Sequence, residues 1–276
     1  MSGDSDMAAE LAPYRHYPIE RGFEYPTQEV AISAAEQRRL HGYCDIGPQV
    51  FGALADASLV SRLPIVMLSN TVVVQRPEWG QVHTVQRITQ TRAIRLGETL
   101  TMYGRIEGCE PHPRGEVMTS SWRYVDASDQ IVFVVRPDVL LISPTGSQHE
   151  RGNSTPSPRE TTVPLWQKTC TPEKTVGYCE GTFNPIHDNP GIAAEFGFRA
   201  PIIAGTQTMS YLLEPLYREQ ERQQIGVEIA FRRPVFWDDV LSIEGRRTGD
   251  DFAYICALNG AGKLVADCRV DESIAA

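Results

Sequence analysis

The run Asn184-Pro185-Ile186-His187 holds the residues best placed to do chemistry. Proline fixes φ and removes a backbone donor, so Asn184-Pro185 reads as a rigid turn that aims the His187 imidazole. An imidazole titrates near pH 6.5, close enough to neutrality to take a proton from water and give it back. Thr182 adds a hydroxyl that can hold a water but cannot act as a base near neutral pH. Asn184 supplies an amide suited to bracing the loop. Further on, Gly205 opens a helical pattern carrying Met209, Leu212, Leu213 and Leu216. A glycine at a helix start leaves free N–H groups and a positive dipole end open to an approaching anion. A base paired with such a helix end can move a proton beside a carbonyl whose oxygen gathers negative charge.

In order and spacing, Gly181, Asn184, Pro185, Ile186 and His187, then Gly197, Phe198, Pro201, Ile202 and Gly205, resemble a known signature. It is that of the MaoC-like (R)-specific enoyl-CoA hydratases and 3-hydroxyacyl-thioester dehydratases: Gly-Asp-x-Asn-Pro-[Ile/Leu]-His, then Gly-Phe-x-x-Pro-Ile-x-His-Gly. Two positions depart from it, with Thr182 at the motif aspartate and Ala204 at the histidine before the helix glycine. The resemblance implies an α+β double hotdog, two tandem units each with an antiparallel sheet wrapped around a central helix. It also implies a lyase that hydrates 2-enoyl thioesters or dehydrates 3-hydroxyacyl thioesters of coenzyme A or acyl carrier protein, with no cofactor and no metal.

In that scheme His187 is the base, the Gly205 backbone the oxyanion donor, Thr182 the water holder and Asn184 the brace. Arg199, with Arg232 and Arg233, is placed to meet phosphates of the carrier. Met209, Tyr211 and Phe236 are placed along an acyl tunnel. Without the aspartate, His187 acts alone unless Glu180 or Asp188 supplies a carboxylate. The alternative is a catalytically silent acyl-thioester-binding protein that has lost the family aspartate. A thioesterase would need a carboxylate on the helix, where Glu214 is the one available. The other histidines, His16, His41, His83, His112 and His149, read as surface or packing residues.

The bulk properties agree with a small-molecule substrate. The chain has 276 residues, enough for one large domain or two ordinary ones. A net charge of -9 argues against nucleic acid or an anionic membrane as partner. Apolar runs such as Ile131-Val-Phe-Val-Val read as strand-sized, so no membrane span is expected. The polar start, Met1-Ser-Gly-Asp-Ser-Asp-Met, lacks the basic and apolar regions of a secretory signal, and a cytoplasmic setting is expected. Six cysteines show no Cys-x-x-Cys pair and read as reduced thiols.

Four units follow along the chain: a tail over 1–20, an N-terminal hotdog without the motif over 21–142, a linker over 143–161, and a C-terminal hotdog carrying the site over 162–276. Ser33 caps a short helix reaching Leu40, and an apolar helix is expected from Gly47 to Val60, with Val50, Leu54 and Leu59 near helical period. Strands are expected at 83–90, 99–107, 116–125 and 131–142, then at 163–168, 227–231, 240–246, 252–258 and 264–270. Thr171-Pro172 reads as a cap and first helical residue. The stretch Arg92–Arg105 aligns without gaps on Arg233–Arg246, which marks a duplication, with Gly47 taken as the counterpart of Gly205. In this reading the C-terminal half keeps the chemistry and the N-terminal half completes the architecture. A duplicated hotdog satisfies its own sheet pairing, and a homodimer through an exposed face stays open.

Overall fold

The computed structural model describes residues 12–144 and 161–271. Nearly all of the expected linker, and residues 1–11 of the expected tail, lie outside the described residues. The N-terminal half runs β1 (Gln28–Val30), α1 (Ala34–Tyr43), α2 (Ala57–Gln75), β2 (Gly80–Gln90), β3 (Leu100–His112), β4 (Gly115–Val125) and β5 (Ile131–Ile142). The C-terminal half runs β6 (Val163–Thr169), α3 (Pro172–Tyr178), α4 (Pro190–Glu195), α5 (Gly205–Glu219), β7 (Ile225–Phe231), β8 (Val240–Thr248), β9 (Asp251–Leu258) and β10 (Leu264–Val270).

The strands form one ten-stranded sheet in the order β1-β3-β4-β5-β2-β7-β10-β9-β8-β6. Read from either edge, the two halves have the same order, so the duplication is visible in the topology. The offset that aligns Arg92 with Arg233 also carries Arg87 onto Glu228. These two residues face each other where β2 and β7 pair antiparallel, joined by an ion pair of 2.8 Å. Equivalent residues that pair with one another mark a local twofold axis at the seam between the halves. The same offset carries Gly104 onto Gly245, and both are glycine for one reason. A Cβ at Gly104 would lie 2.1 Å from the Trp122 ring, and one at Gly245 would lie 2.5 Å from the Phe252 ring.

The strands alternate as half-buried strands should. In β3, Leu100, Met102, Gly104 and Ile106 point inward. Each half of the sheet wraps its own long helix, α2 or α5, and the helices touch where Ser58 Oγ and Ser210 Oγ lie 2.8 Å apart. This is the double hotdog. Tyr14, Tyr17 and Phe23 pack the end of the tail onto the core, with Tyr25 stacked 4.8 Å from Trp122.

The expectation of a helix from Gly47 is corrected. Residues 48–53 form turns, with Gly52 at φ +56°, and α2 starts only at Ala57. Its start is set by Asp56, whose side chain accepts from Ser58 N at 2.8 Å. Pro64 sits inside the helix and has no N–H for the Val60 carbonyl. The Tyr124 hydroxyl donates to that carbonyl instead, at 2.9 Å. A second correction concerns length: α2 has 19 residues and is long and apolar enough to cross a bilayer, although only strand-sized apolar runs were expected. It lies in the core, gripped by the sheet, and a helix enclosed on several sides is apolar all round for that reason.

Candidate active site

The loop between α3 and α5 is built from local stops. Thr171 caps α3 through Lys174 N at 3.2 Å. Gly181, at φ +78°, turns the chain back, and Pro185–His187 makes a single 3₁₀ turn. Asn189 then caps α4 through Gly191 N and Ile192 N, and Gly197, at φ +80°, ends it. The result holds His187 inside the protein, 7% exposed.

His187 Nδ1 lies 2.8 Å from the Ile202 carbonyl oxygen. A carbonyl can only accept, so Nδ1 carries the hydrogen of the neutral ring and Nε2 keeps its lone pair. The Asn184 amide nitrogen sits 3.4 Å from Nε2 and 3.3 Å from the Gln81 carbonyl, which fixes the amide between the ring and β2. Burial pushes His187 down to about 4. The Ile202 carbonyl works against this shift, and the positive charge of Arg62 adds to it. The ring is therefore neutral across the ordinary working range.

His187, Thr182, Asn184 and Gly205 bound one cavity of about 220 Å³. Thr182, Asn184 and His187 also line a second hollow of about 460 Å³. The first cavity takes much of its wall from the N-terminal half: Arg62 and Ser69 of α2, and Gln81 and His83 of β2. The expectation that this half only completes the architecture is corrected accordingly. Arg62, 8% exposed, donates from Nη2 to the Tyr178 carbonyl at 3.0 Å, the Glu180 carbonyl at 3.2 Å and Thr182 Oγ1 at 3.4 Å. Among the described residues no carboxylate pairs with it. A lone arginine inside an apolar run was the signal available for Arg62. His83 carried no local signal, because the seam between the halves is what brings it to the site.

The helix starts differ. Ala204 gives α5 no side-chain cap, and the N–H groups of Gly205 and Thr206 find no backbone acceptor among the described residues. In α2 the equivalent end is closed by the Asp56 carboxylate, itself bonded to His41 Nε2 at 2.9 Å.

Several residues expected at the site lie elsewhere. Arg199 forms ion pairs with Asp238 at 2.7 Å and Asp239 at 2.8 Å and lies over the Phe236 ring, so its charge is already matched outside the cavity. Met209 and Tyr211 are buried in the core, deeper along α5 than the residues that line the cavity, and do not line it themselves. Arg232 reaches the cavity but is held by Asp267, while Arg233 lies at the wall and donates to the Leu264 carbonyl. Glu180 pairs with Arg39 at 2.7 Å, and Glu180 and Asp188 both face the second hollow. Glu214 is fully buried between Lys168 and Arg218, at 2.7 and 2.5 Å.

A continuous antiparallel sheet around two helices, with a buried histidine and an uncapped helix end lining one cavity, defines a double-hotdog protein. Residues 148–255 match the family described as MaoC like domain. Among solved structures, HtdX from Mycobacterium tuberculosis is similar over 89% of this chain and 99% of its own, at 20% identity and a TM-score of 0.74. A MaoC-like dehydratase from Phytophthora capsici is similar over 92% and 96%, at 15% identity and a TM-score of 0.62. An acyl-ACP thioesterase from Bacteroides thetaiotaomicron is similar over 89% and 96%, at 10% identity and a TM-score of 0.56. At these identities the likeness is one of fold. Comparison with curated protein sequences gave no match.

Proposed function

We propose that the protein is a hydratase or dehydratase of a 2-enoyl or 3-hydroxyacyl thioester carried by coenzyme A or acyl carrier protein. The observation that carries this reading is the neutral His187, whose Nε2 lone pair faces only the Asn184 amide at 3.4 Å, lining the same cavity as the uncapped amides of α5. In hydration, Nε2 takes a proton from water as the water oxygen bonds to the β-carbon. The double-bond electrons shift toward the thioester carbonyl, whose oxygen gathers charge in front of the Gly205 N–H. The imidazolium then returns its proton to the α-carbon, which completes the addition of water and regenerates the base. One base serving both steps adds the two parts to the same face of the double bond. Dehydration is the reverse.

Magnitudes support this cycle. Holding His187 at about 4 makes imidazolium costly in the empty site by roughly 3 kcal/mol. An enolate at about 4 Å contributes about 4 kcal/mol of attraction at an effective dielectric near 20. The charged ring is thus favoured only while the intermediate exists. Thr182 accepts from Arg62, which turns its own hydroxyl proton toward another acceptor, such as the attacking water. The cavity of about 220 Å³ is below the roughly 300 Å³ at which drug-sized pockets begin, which favours a short acyl group. Arg114 and Arg233 at its wall suit the phosphates of the carrier.

The fold alone would also admit a thioesterase, but Glu214 is committed to Lys168 and Arg218 and does not line the cavity. Crotonyl-CoA hydration by wild type beside His187→Ala tests the proposal. The variant should lose about 10² to 10⁴ in rate. Binding without turnover in wild type would indicate the silent binder, and release of free thiol would indicate hydrolysis.

A further inference from the structure

His83 stands on β2, in the half without the motif, and neither of its buried ring nitrogens has a hydrogen-bond partner of good geometry among the described residues. Its ring packs 4.6 Å from the Phe231 ring on one side. On another it meets the start of α5, since a Cβ on Gly205 would lie 2.9 Å from His83 Cβ and 3.0 Å from Nδ1. A buried polar group without a partner costs about 1–3 kcal/mol, so a side chain serving only to fill this space would be better apolar. The same wall of the cavity exposes the N–H groups of Gly205 and Thr206 at the head of a 15-residue helix with no side-chain cap. Donors from both halves therefore converge where no protein acceptor stands.

We propose that His83 is a second catalytic residue, a neutral imidazole that donates its N–H to the thioester carbonyl oxygen beside the Gly205 amide. The oxygen that gathers charge is then held by one donor from each half of the duplicated chain. This rests on the hydratase reading for its role in turnover, but not for the hydrogen bond itself. No proton leaves His83 in the cycle; it strengthens one hydrogen bond as the enolate forms and relaxes it afterwards. Burial, which keeps the ring neutral against the pull of nearby Gln86, Val85 and Asp138, suits a donor that is not consumed as an acid.

The test uses the full chain with His83→Phe and His83→Gln. Two measurements are needed: crotonyl-CoA hydration, and the absorption of bound 2,4-hexadienoyl-CoA, which moves to the red when its carbonyl is hydrogen-bonded. His83→Phe should lower kcat by about 10²–10³, as loss of one oxyanion donor does, and should reduce the red shift. His83→Gln, which keeps an N–H, should recover at least tenfold of that loss and part of the shift. Affinity for butyryl-CoA should stay within about threefold in both, since the donor acts mainly as charge develops. A red shift and kcat unchanged in His83→Phe would overturn the proposal, as would equal losses in both variants. A wild type that shifts the chromophore without hydrating crotonyl-CoA would sink the hydratase reading and leave the His83 hydrogen bond standing.

Discussion

Thr182→Asp restores the motif aspartate, but it also places a carboxylate against a guanidinium that has no acidic partner among the described residues. Arg62 Nη2 already lies 3.4 Å from Thr182 Oγ1, and the arginine is buried. An ion pair at about 4 Å contributes about 4 kcal/mol at an effective dielectric near 20. Burying the new carboxylate opposes this by several kcal/mol. The expected net effect is a gain of about 1 kcal/mol in stability, read as a rise of about 2–4 °C in melting temperature. Catalysis should benefit little. The same guanidinium lowers the pKa of the introduced carboxyl by about 1–3 units, which leaves a weak base. We expect kcat on crotonyl-CoA to rise less than about tenfold, short of the 10² to 10⁴ that a well-placed acid–base group contributes. Adding Arg62→Met should enlarge the gain in rate and abolish the gain in stability. A hundredfold faster single variant with an unchanged melting temperature would refute the coupling between Arg62 and position 182.

Four further outcomes are expected. His83 and His187 are each held at about 4 in the folded chain, against about 6.5 unfolded, so the unfolded chain binds more protons in that window. Stability should be full above about pH 6.5 and fall as pH drops toward 4, by up to about 1.4 kcal/mol per unit for each ring, and urea titrations of His83→Phe should show about half this slope. The charges facing these rings are Asp138 near His83, which favours its protonation, and Arg62 near His187, which opposes it. Met209→Ala should cost about 2–5 kcal/mol in denaturant unfolding while KM stays unchanged, because Met209 is core and does not line the cavity. Arg199→Ala should change stability by no more than about 1 kcal/mol and leave KM for coenzyme A thioesters within about twofold, since its ion pairs are exposed. Gly205→Ala should fold, as its backbone is helical, yet cut kcat at least tenfold by pushing against His83, measured beside circular dichroism of the same sample.

Local chemistry makes much of this protein legible in its sequence. Ser33, Thr171 and Gly205 are where helices begin, and the strands read from the sequence lie inside the observed ones to within one residue. The motif residues His187, Thr182, Asn184 and Gly205 do meet at one cavity, because a short loop and the helix after it bring them together. Reading failed where the cause lay far along the chain. The start of α2 was misplaced because the turns at 48–53 imitate a helical period, and the helix proper is apolar on nearly every side, which erases its own period. Arg62 and His83 reach the site only through packing of the two halves across β2 and β7. Arg199 was read as a phosphate ligand because nothing in the run Phe198–Ala200 reveals that Asp238 and Asp239 come back to claim it.

Fusion into one chain allows a division of labour that two identical subunits could not have. A symmetric dimer repeats every residue, so both of its long helices would start bare or both would start closed. Here Asp56 secures α2, an interaction worth about 1 kcal/mol in comparable helices, while Ala204 leaves α5 unsecured and able to receive a ligand. One helix start is closed by a side chain, and its counterpart across the pseudo-dyad is open. Saturation with a thioester should therefore stop at one equivalent per polypeptide, with no cooperativity between halves.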